Sequence, residues 1–445
     1  MLSTQKKCSG DSIKKQKDIY VKLNRLTWSI LILLVGILPI INTFGNPRAF
    51  EAKNIEFVQS GYSNQNAEFL SQIKYGSYVL IIALAIVFGL FAMRKGRRLK
   101  RYSLLLIMSI LFFKSTLLVA GFLGTKSGFV ISDYVIFVLF ILVALMVPLS
   151  MDELVNKIKK ILLLYIYGSL ICSILYPAFA IQTDYVDGYL LHIRLFGITV
   201  HSNILASIAC LFLLIELNWY SKKFRKIHIL SAVVVLVMTQ SKTIWVTCIL
   251  IYMLVFAYRM WIKSDNRLKY LFIALLSVGA AFIVLFIFLL TSFILGKYLT
   301  TEQINQIYTL TGRNDVWEFT IKLWKENPLF GYGPYLWSDL DMRTSFYKYY
   351  GWLPGSAHNQ FFQSLGEAGI LGAMGLIIYG IVLLFLAIKT NRETRGASMA
   401  IVILLLGRGI TEVSFRDSLT DNNFTIHFFV FIIFIHLMYK DNKSL

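Results

Sequence analysis

Long apolar runs recur throughout this chain of 445 residues and restrict what it can fold into. Each run has roughly the 20 residues that an α-helix needs to cross the hydrocarbon core of a bilayer. Because backbone groups find no water there, a spanning segment must satisfy them internally, and runs of this length favour the helix. The runs cover residues 28–44, 77–93, 103–123, 129–149, 160–180, 199–217, 227–240, 243–261, 269–295, 368–388, 397–414 and 424–439. We therefore expect an all-α, polytopic integral membrane protein with about twelve transmembrane helices.

Composition agrees with this fold class. Hydrophobic residues make up 57% of the chain and charged residues only 15%, which excludes an ordinary soluble domain. Cysteines give no further chemistry: Cys8 is predicted to be cytoplasmic, and Cys172, Cys210 and Cys248 fall within predicted spans. Neither an outward disulfide framework nor a spaced metal site can be assembled from them. We expect no metal ion and no other cofactor.

The net charge of +20 is distributed in a way that predicts topology. Lysine and arginine residues cluster before the first predicted span and after every even-numbered one. By the positive-inside rule, both termini are cytoplasmic, and the outward-facing segments are residues 45–76, 181–198, 240–243, 296–367 and 415–423. The basic residues are thus explained as topology determinants on the cytoplasmic side of the membrane, and nucleic acid is not expected as a partner.

These assignments give a simple domain organisation. Residues 1–27 form a basic cytoplasmic N-terminus, interpreted as the lead of a signal anchor because no small-residue cleavage site follows the first apolar run. Residues 28–445 form a single polytopic membrane domain with no fixed-period repeat. Within it, residues 296–367 form a large extracytoplasmic loop, and we expect the active-site motifs there because polar loops of such length are usually functional.

Two helices are predicted in this loop. The first is capped by Thr311 or Asn314 and runs to about Glu326. Its aromatic face should place it at the membrane interface, with Arg313 at the depth of the lipid headgroups. After a turn over residues 328–334, Ser356 is expected to cap the second helix. His358 would then lie in the first turn, where the helix dipole favours a neutral imidazole that can act as a base.

Four separated pieces of the sequence resemble the O-antigen ligase and polysaccharide polymerase family of bacterial envelopes. They are residues 194–197 with 201–203; residues 239–243; Gly312 and Arg313 with Trp317 and residues 328–333; and residues 357–359 with 365–372. The last two are the most specific, and the similarity covers about the C-terminal half of the chain. This resemblance implies a glycosyltransferase of the GT-C-like membrane type. Its substrates would be glycans carried on undecaprenyl diphosphate, used without a metal or a nucleotide sugar.

The resemblance also implies roles for three residues. His358 would be the catalytic base, and Arg313 and Lys242 would bind the diphosphate. Lys242 is a departure, since the family usually has arginine there. Arginine grips a diphosphate with a planar fork, whereas lysine offers a point charge, so Lys242 is expected to be usable but not equivalent. Displacement of the diphosphate without a covalent intermediate implies inversion at the anomeric carbon.

Each of these assignments has a structural alternative. A histidine at a helix start can be a hydrogen-bonding residue, Arg313 can anchor the loop to headgroups, and Lys242 can be an ordinary residue at a span boundary. His201 and Asn203 are interpreted as polar groups at a helix start.

Other charged and polar residues are candidates for lining a diphosphate or glycan cleft: Arg194, Lys114, Arg408, Asn359, Glu367 and Glu412. Charges within spans are costly and usually face a cavity or a partner. Arg408 and Glu412 are four residues apart and would share one helix face. The alternative is that these are paired structural charges, with Lys114 snorkelling outward. Glu367 is expected to orient the helix that carries the histidine.

Taken together, the sequence predicts a polysaccharide polymerase for capsule or exopolysaccharide. It would transfer an undecaprenyl-diphosphate-linked oligosaccharide to the hydroxyl of an acceptor lipid-linked repeat, outside the cytoplasmic membrane. The first alternative is an O-antigen ligase, whose acceptor is a surface anchor such as lipid A core. An alternative of another class is a flippase for lipid-linked oligosaccharides, although that would be expected to show repeated halves. Expected partners are the lipid-linked glycan, the glycan acceptor, membrane lipids, and a chain-length regulator and flippase of the same pathway.

Overall fold

The structure is a computed structural model that describes residues 2–45, 67–95, 100–183, 193–219, 224–263, 312–416 and 418–440. These residues form 14 α-helices and one short pair of strands. The helices are α1 (Leu2–Gly45), α2 (Ala67–Lys95), α3 (Arg101–Leu123), α4 (Ile131–Leu145), α5 (Met151–Leu175), α6 (Pro177–Ala180), α7 (Ser202–Asn218), α8 (Arg225–Met238), α9 (Lys242–Lys263), α10 (Arg313–Trp324), α11 (Leu340–Tyr350), α12 (Gln360–Thr390), α13 (Ala397–Thr411) and α14 (Asn422–Lys440). The strands are β1 (Ile181–Gln182) and β2 (Arg194–Leu195). The predicted span 269–295 and Thr311 lie outside the described residues.

Seven helices of the described part are long and apolar enough to cross a membrane: α1, α2, α3, α5, α9, α12 and α14. Three further apolar helices, α4, α7 and α13, are shorter. The prediction of a helical, multi-pass membrane protein is therefore confirmed. The total of twelve spans, the GT-C-like fold, the domain boundaries and the cytoplasmic position of the termini stay predictions.

Helix α14 forms the centre of the bundle. It packs against α1, α3, α5, α7 and α13, and 94% of the segment Asn422–Tyr439 is buried. Its sequence is apolar on all sides, which is typical of a helix surrounded by protein. Ring contacts of Phe140 on α4 with Phe424 and Phe431 on α14 join it to a further helix.

The predicted outward segments meet at one end of the bundle. β1 and β2 pair antiparallel, with Gln182 opposite Arg194. The turn between α8 and α9 joins them, since the Arg194 Nε donates to the Thr239 carbonyl at 3.2 Å. The turn after α10 binds the connection between α3 and α4 through Lys126 N–H and the Tyr332 carbonyl, 2.7 Å apart. These contacts gather segments far apart in sequence around one polar region.

The segment between α10 and α12 contains more structure than the sequence predicts. α10 begins at Arg313 with Gly312 at the cap position, so neither Thr311 nor Asn314 is the cap. α11 was not expected, and Asp339 caps it by accepting a hydrogen bond from the Met342 N–H at 3.1 Å. Phe346 is the one buried residue of α11, and Met342 and Tyr350, four positions to either side of it, pack against the same cluster. This apolar face is short, and it was not recognised in the sequence.

The loop helix predicted near His358 and the tenth predicted span form a single helix, α12, with a kink at Ala368 and Gly369. The turn after α10 docks on this kink. Tyr332 N–H donates to the Gly366 carbonyl at 2.8 Å, and Ile370 N–H donates to the Pro328 carbonyl at 2.9 Å. The turn thus supplies hydrogen-bond partners to backbone groups at the kink, which allows an apolar helix to bend there.

Gly369 is required for this docking. Its φ of +62° is strained for other residues, and a Cβ would lie 2.4 Å from the Leu329 carbonyl oxygen. We expect Gly369→Ala to destabilise the fold by about 1–3 kcal/mol from backbone strain and by a similar amount from the clash. Thermal unfolding in detergent checks this result. Gly76→Ala in α2 is the control, because a Cβ there meets no atom within 4 Å. An unchanged melting temperature for Gly369→Ala would contradict the docked turn.

Candidate active site

Glu412 lies at the centre of the polar region, in the connection that follows α13. Its Oε1 accepts a hydrogen bond from the Asn203 Nδ2 at 2.8 Å and lies 3.8 Å from the Arg313 Nη2. Its Oε2 lies 3.8 Å from the Nδ1 of His358. One carboxylate thus contacts residues from three other parts of the chain. We call Arg194, Asn203, Arg313, His358 and Glu412 the Glu412 cluster.

Arg194 and Asn203 complete the cluster on the side of α7. The Arg194 Nη2 donates to the Asn203 Oδ1 at 2.8 Å, so Asn203 bridges the arginine and Glu412. His201 caps α7 by accepting from the Asn203 N–H at 3.1 Å. Burial lowers the pKa of His201 to about 4, so its imidazole is neutral at physiological pH. The prediction that His201 and Asn203 are helix-start groups is confirmed, but Asn203 also links two charged residues.

His358 precedes α12 by two positions. The cap is Asn359, whose Oδ1 accepts from the N–H groups of Phe361 and Phe362 at 2.8 and 3.2 Å. The predictions that Ser356 caps this helix and that His358 lies in its first turn are therefore wrong. His358 has a φ of +49°, a left-handed conformation that histidine and asparagine tolerate better than most residues. The preference of asparagine for the cap position explains where the helix begins.

Neighbouring side chains hold the His358 turn in place. Trp317 on α10 donates through Nε1 to the Ala357 carbonyl at 2.9 Å, and its ring stacks on Phe362 with centroids 5.0 Å apart. On the other side, Gln363 accepts from the Ala357 N–H at 2.8 Å and donates to the Glu367 Oε1 at 2.6 Å. Glu367 therefore reaches the turn through Gln363. That arrangement fits the orienting role proposed for it.

The electrostatics of the cluster keep Glu412 ionised. Burial raises the pKa of its carboxyl, but interactions with His358 and the Asn203 amide outweigh burial, and the pKa lies below its ordinary value. The Nδ1 of His358 is buried and has no hydrogen bond to any residue that the structure describes. At 3.8 Å from Glu412, this nitrogen is at ion-pair distance but too far for a hydrogen bond. An imidazolium formed here would face a carboxylate.

Comparison with known proteins finds a family match for the part of the chain that carries Arg313 and His358. Residues 227–379 match the model of a protein family described as O-Antigen ligase. This part, about a third of the chain, is similar to the O-antigen ligase family. The matched residues include Lys242, Arg313 and His358, whereas Arg194 and Glu412 lie outside the match. No curated protein matched the chain. The resemblance predicted from the sequence is confirmed.

Lys242, the third residue implied by the resemblance to the O-antigen ligase family, begins α9 and has an exposed side chain. It makes no ion pair or hydrogen bond with the described residues, so it is not a member of the Glu412 cluster. It follows directly on the turn whose Thr239 carbonyl binds Arg194. Arg194, a member of the cluster, is thus bound to the turn that precedes Lys242.

Two expectations about charges within the spans are wrong. Lys114 does not snorkel outward: its side chain is buried, and its Nζ donates to the Phe415 carbonyl at 2.7 Å. Arg408 and Glu412 do not share a helix face, because α13 ends at Thr411 and Glu412 has extended backbone angles. Arg408 instead donates to the Asn423 Oδ1 at 2.6 Å. Asn359 caps α12 and donates to the Ile410 carbonyl at 2.9 Å, which holds α12 beside α13.

A cavity of about 550 Å³ adjoins the Glu412 cluster. Glu412, His201 and Ser356 lie on its wall, together with Gln363 and Glu367. The volume is within the roughly 300–1,000 Å³ of typical small-ligand sites. Asp133 also lines it.

Proposed function

We propose that the protein is a polysaccharide polymerase. It would join a glycan carried on undecaprenyl diphosphate to the hydroxyl of an acceptor lipid-linked repeat at the outer face of the cytoplasmic membrane. The family match supports a membrane enzyme of the ligase or polymerase type that uses lipid-linked glycans. The observation that carries the proposal is that Arg313 and His358 each lie 3.8 Å from a different carboxylate oxygen of Glu412. The reaction needs a cation to neutralise the departing diphosphate and a base to take the proton of the acceptor hydroxyl. Arg313 and His358 match these two needs.

The reaction forms one C–O bond and breaks another. His358 takes the proton of the acceptor hydroxyl, and the hydroxyl oxygen attacks the anomeric carbon of the donor sugar. The bond from that carbon to the diphosphate breaks, and the diphosphate leaves with the electron pair. Because Nδ1 of His358 faces Glu412, we assign proton uptake to Nε2. The imidazolium formed is then stabilised by the carboxylate.

Cations of the protein neutralise the charge that builds on the departing diphosphate, so the proposed step is metal-independent. Arg313 and Lys242 have this role, and each is the first residue of a helix. The free N–H groups and the dipole of a helix start also favour an anion. Attack opposite the leaving group, with no covalent intermediate, inverts the anomeric carbon.

Lys242 provides a test of the diphosphate site. We expect Lys242→Gln to raise the KM for the lipid-linked donor about tenfold, because one charge-assisted hydrogen bond to a phosphate oxygen is lost. Lys242→Arg should keep the donor KM within about threefold of the natural protein, since the charge is preserved. Lys226→Gln on α8 is a control that removes a lysine outside the cluster. Equal donor KM values for Lys242→Gln and the natural protein would contradict the assignment of Lys242 to the diphosphate site.

A deletion strain distinguishes the proposed activity from its alternatives. Surface polysaccharide and lipid-linked intermediates are separated by size in cells with and without the protein. Loss of a polymerase leaves single lipid-linked repeats on the outer leaflet, whereas loss of a ligase leaves long chains that are not attached to their anchor. Repeats that accumulate on the inner leaflet would indicate a flippase. The chain-length regulator and flippase named as partners stay predictions, and pull-down from the same cells tests them.

A further inference from the structure

The cavity beside the Glu412 cluster has an acidic wall. Three carboxylates line it in addition to Glu412: Asp133 at the start of α4, Glu367 on α12 and Asp421 before α14. Among its described lining residues, Arg416 is the one arginine or lysine, and it lies 3.8 Å from Asp421. Arg194, Lys242 and Arg313 do not line the cavity. The positive residues of the site and the acidic cavity are thus adjacent but separate, with Glu412 common to both.

The rest of the wall can bind hydroxyl groups. Gln360, Gln363 and Ser364 contribute amide and hydroxyl side chains. Trp337 also lines the cavity with only 7% of its surface exposed, and its indole N–H has no hydrogen-bond partner among the residues that the structure describes. Carboxylates accept hydrogen bonds from sugar hydroxyls, and an aromatic ring packs against the apolar face of a sugar. A diphosphate, in contrast, would be repelled by these carboxylates.

We propose that this cavity binds the acceptor, specifically the uncharged, hydroxyl-rich sugar at the end that is extended. This inference rests on the proposed polymerase function and adds to it a division of the site. The donor diphosphate binds at Arg313 and Lys242, and the acceptor sugar enters from the cavity. Ser356 joins the two parts, because it lines the cavity and its Oγ accepts from the His358 N–H at 3.3 Å. The acceptor hydroxyl would meet His358 where they join.

The test separates acceptor from donor binding. Lipid-linked single repeats from the deletion strain serve as donor, and the same repeat released by mild acid, without lipid or diphosphate, serves as acceptor. The purified full-length protein is assayed in liposomes for elongation of the released repeat. We expect Asp133→Asn and Asp421→Asn each to raise the acceptor KM about tenfold, the effect of weakening hydrogen bonds to a charged group. The donor KM should stay within twofold. Arg313→Gln should raise the donor KM and leave the acceptor KM within twofold.

Two further variants distinguish a loss of acceptor binding from misfolding. Trp337→Phe keeps an aromatic ring but removes the N–H, and should raise the acceptor KM by a smaller factor. Asp152→Asn replaces an exposed carboxylate that does not line the cavity, and should change neither KM. Unchanged acceptor KM values in both aspartate variants, or a rise in donor KM instead, would overturn the acceptor assignment alone. If the natural protein forms no glycosidic bond, the proposed function fails, and this inference fails with it.

Discussion

Replacing His358 with asparagine is expected to lower the turnover number by about 10²–10⁴-fold, the range that a general base contributes. The imidazole lies 3.8 Å from Glu412 and can take a proton from an acceptor hydroxyl. Asparagine tolerates the left-handed φ of +49° that His358 adopts, so the backbone of the turn should be preserved. In cells, single lipid-linked repeats should accumulate outside while long chains disappear. Product size on gels and the initial rate in liposomes check this result.

A second substitution separates the imidazole from the backbone. His358→Ala removes the same group but fits the left-handed conformation less well, so it should be equally inactive and less stable. His228→Asn on α8 is the matched control, since His228 contacts Tyr167 at 2.8 Å and lies outside the cluster. It should make chains of normal length. Normal chain length in His358→Asn would exclude His358 as the base.

Replacing Glu412 with glutamine is expected to lower turnover by about 10²–10³-fold while leaving the shape of the site unchanged. The loss follows because the carboxylate stabilises both the imidazolium at His358 and the position of Arg313. Glu412 acts through these residues and is a positioning residue. Its loss should therefore appear in the turnover number, since the imidazolium that the carboxylate stabilises forms only during the reaction.

Glutamine keeps the oxygen that accepts from Asn203 at 2.8 Å, so the fold should be retained. Glu318→Gln provides the control, because Glu318 is an exposed carboxylate on α10, the helix that Arg313 begins. Its turnover number should match that of the natural protein. An unchanged turnover number in Glu412→Gln would contradict the pairing of Glu412 with the base.

The apolar runs were sufficient to predict most of the helices, because a span needs only length and hydrophobicity to be recognised. The motifs also nominated Arg313 and His358, which the structure brings to one carboxylate. Glu412, the carboxylate between them, was predicted instead to share a helix face with Arg408. The spacing of Arg408 and Glu412 indicated an i, i+4 pair, but α13 ends between them, and helix ends are difficult to place within an apolar run.

Long-range contacts account for the remaining differences. Asn203 joins Arg194 to Glu412 across more than 200 positions of sequence, and no local pattern indicates such a bridge. The apolar face of α11 consists of Met342, Phe346 and Tyr350, which is a short pattern from which to recognise a helix. The cavity wall is drawn from α4, α12 and the connection before α14, and Asp133 gains its place there from the packing of those elements. Sequence periodicity reports a local preference, whereas these features depend on tertiary structure.

The continuity of α12 links the site to the physical state of the bilayer. Its first turn adjoins His358, and beyond the kink at Gly369 the same helix is long and apolar enough to cross a membrane. A helix held by lipid shifts or tilts when its apolar length and the hydrocarbon thickness differ. Because the turn after α10 holds the backbone at the kink, we expect less of that movement to reach the histidine. For this protein, lipid chain length is therefore a variable to control when activity is measured, as temperature and salt are for a soluble enzyme.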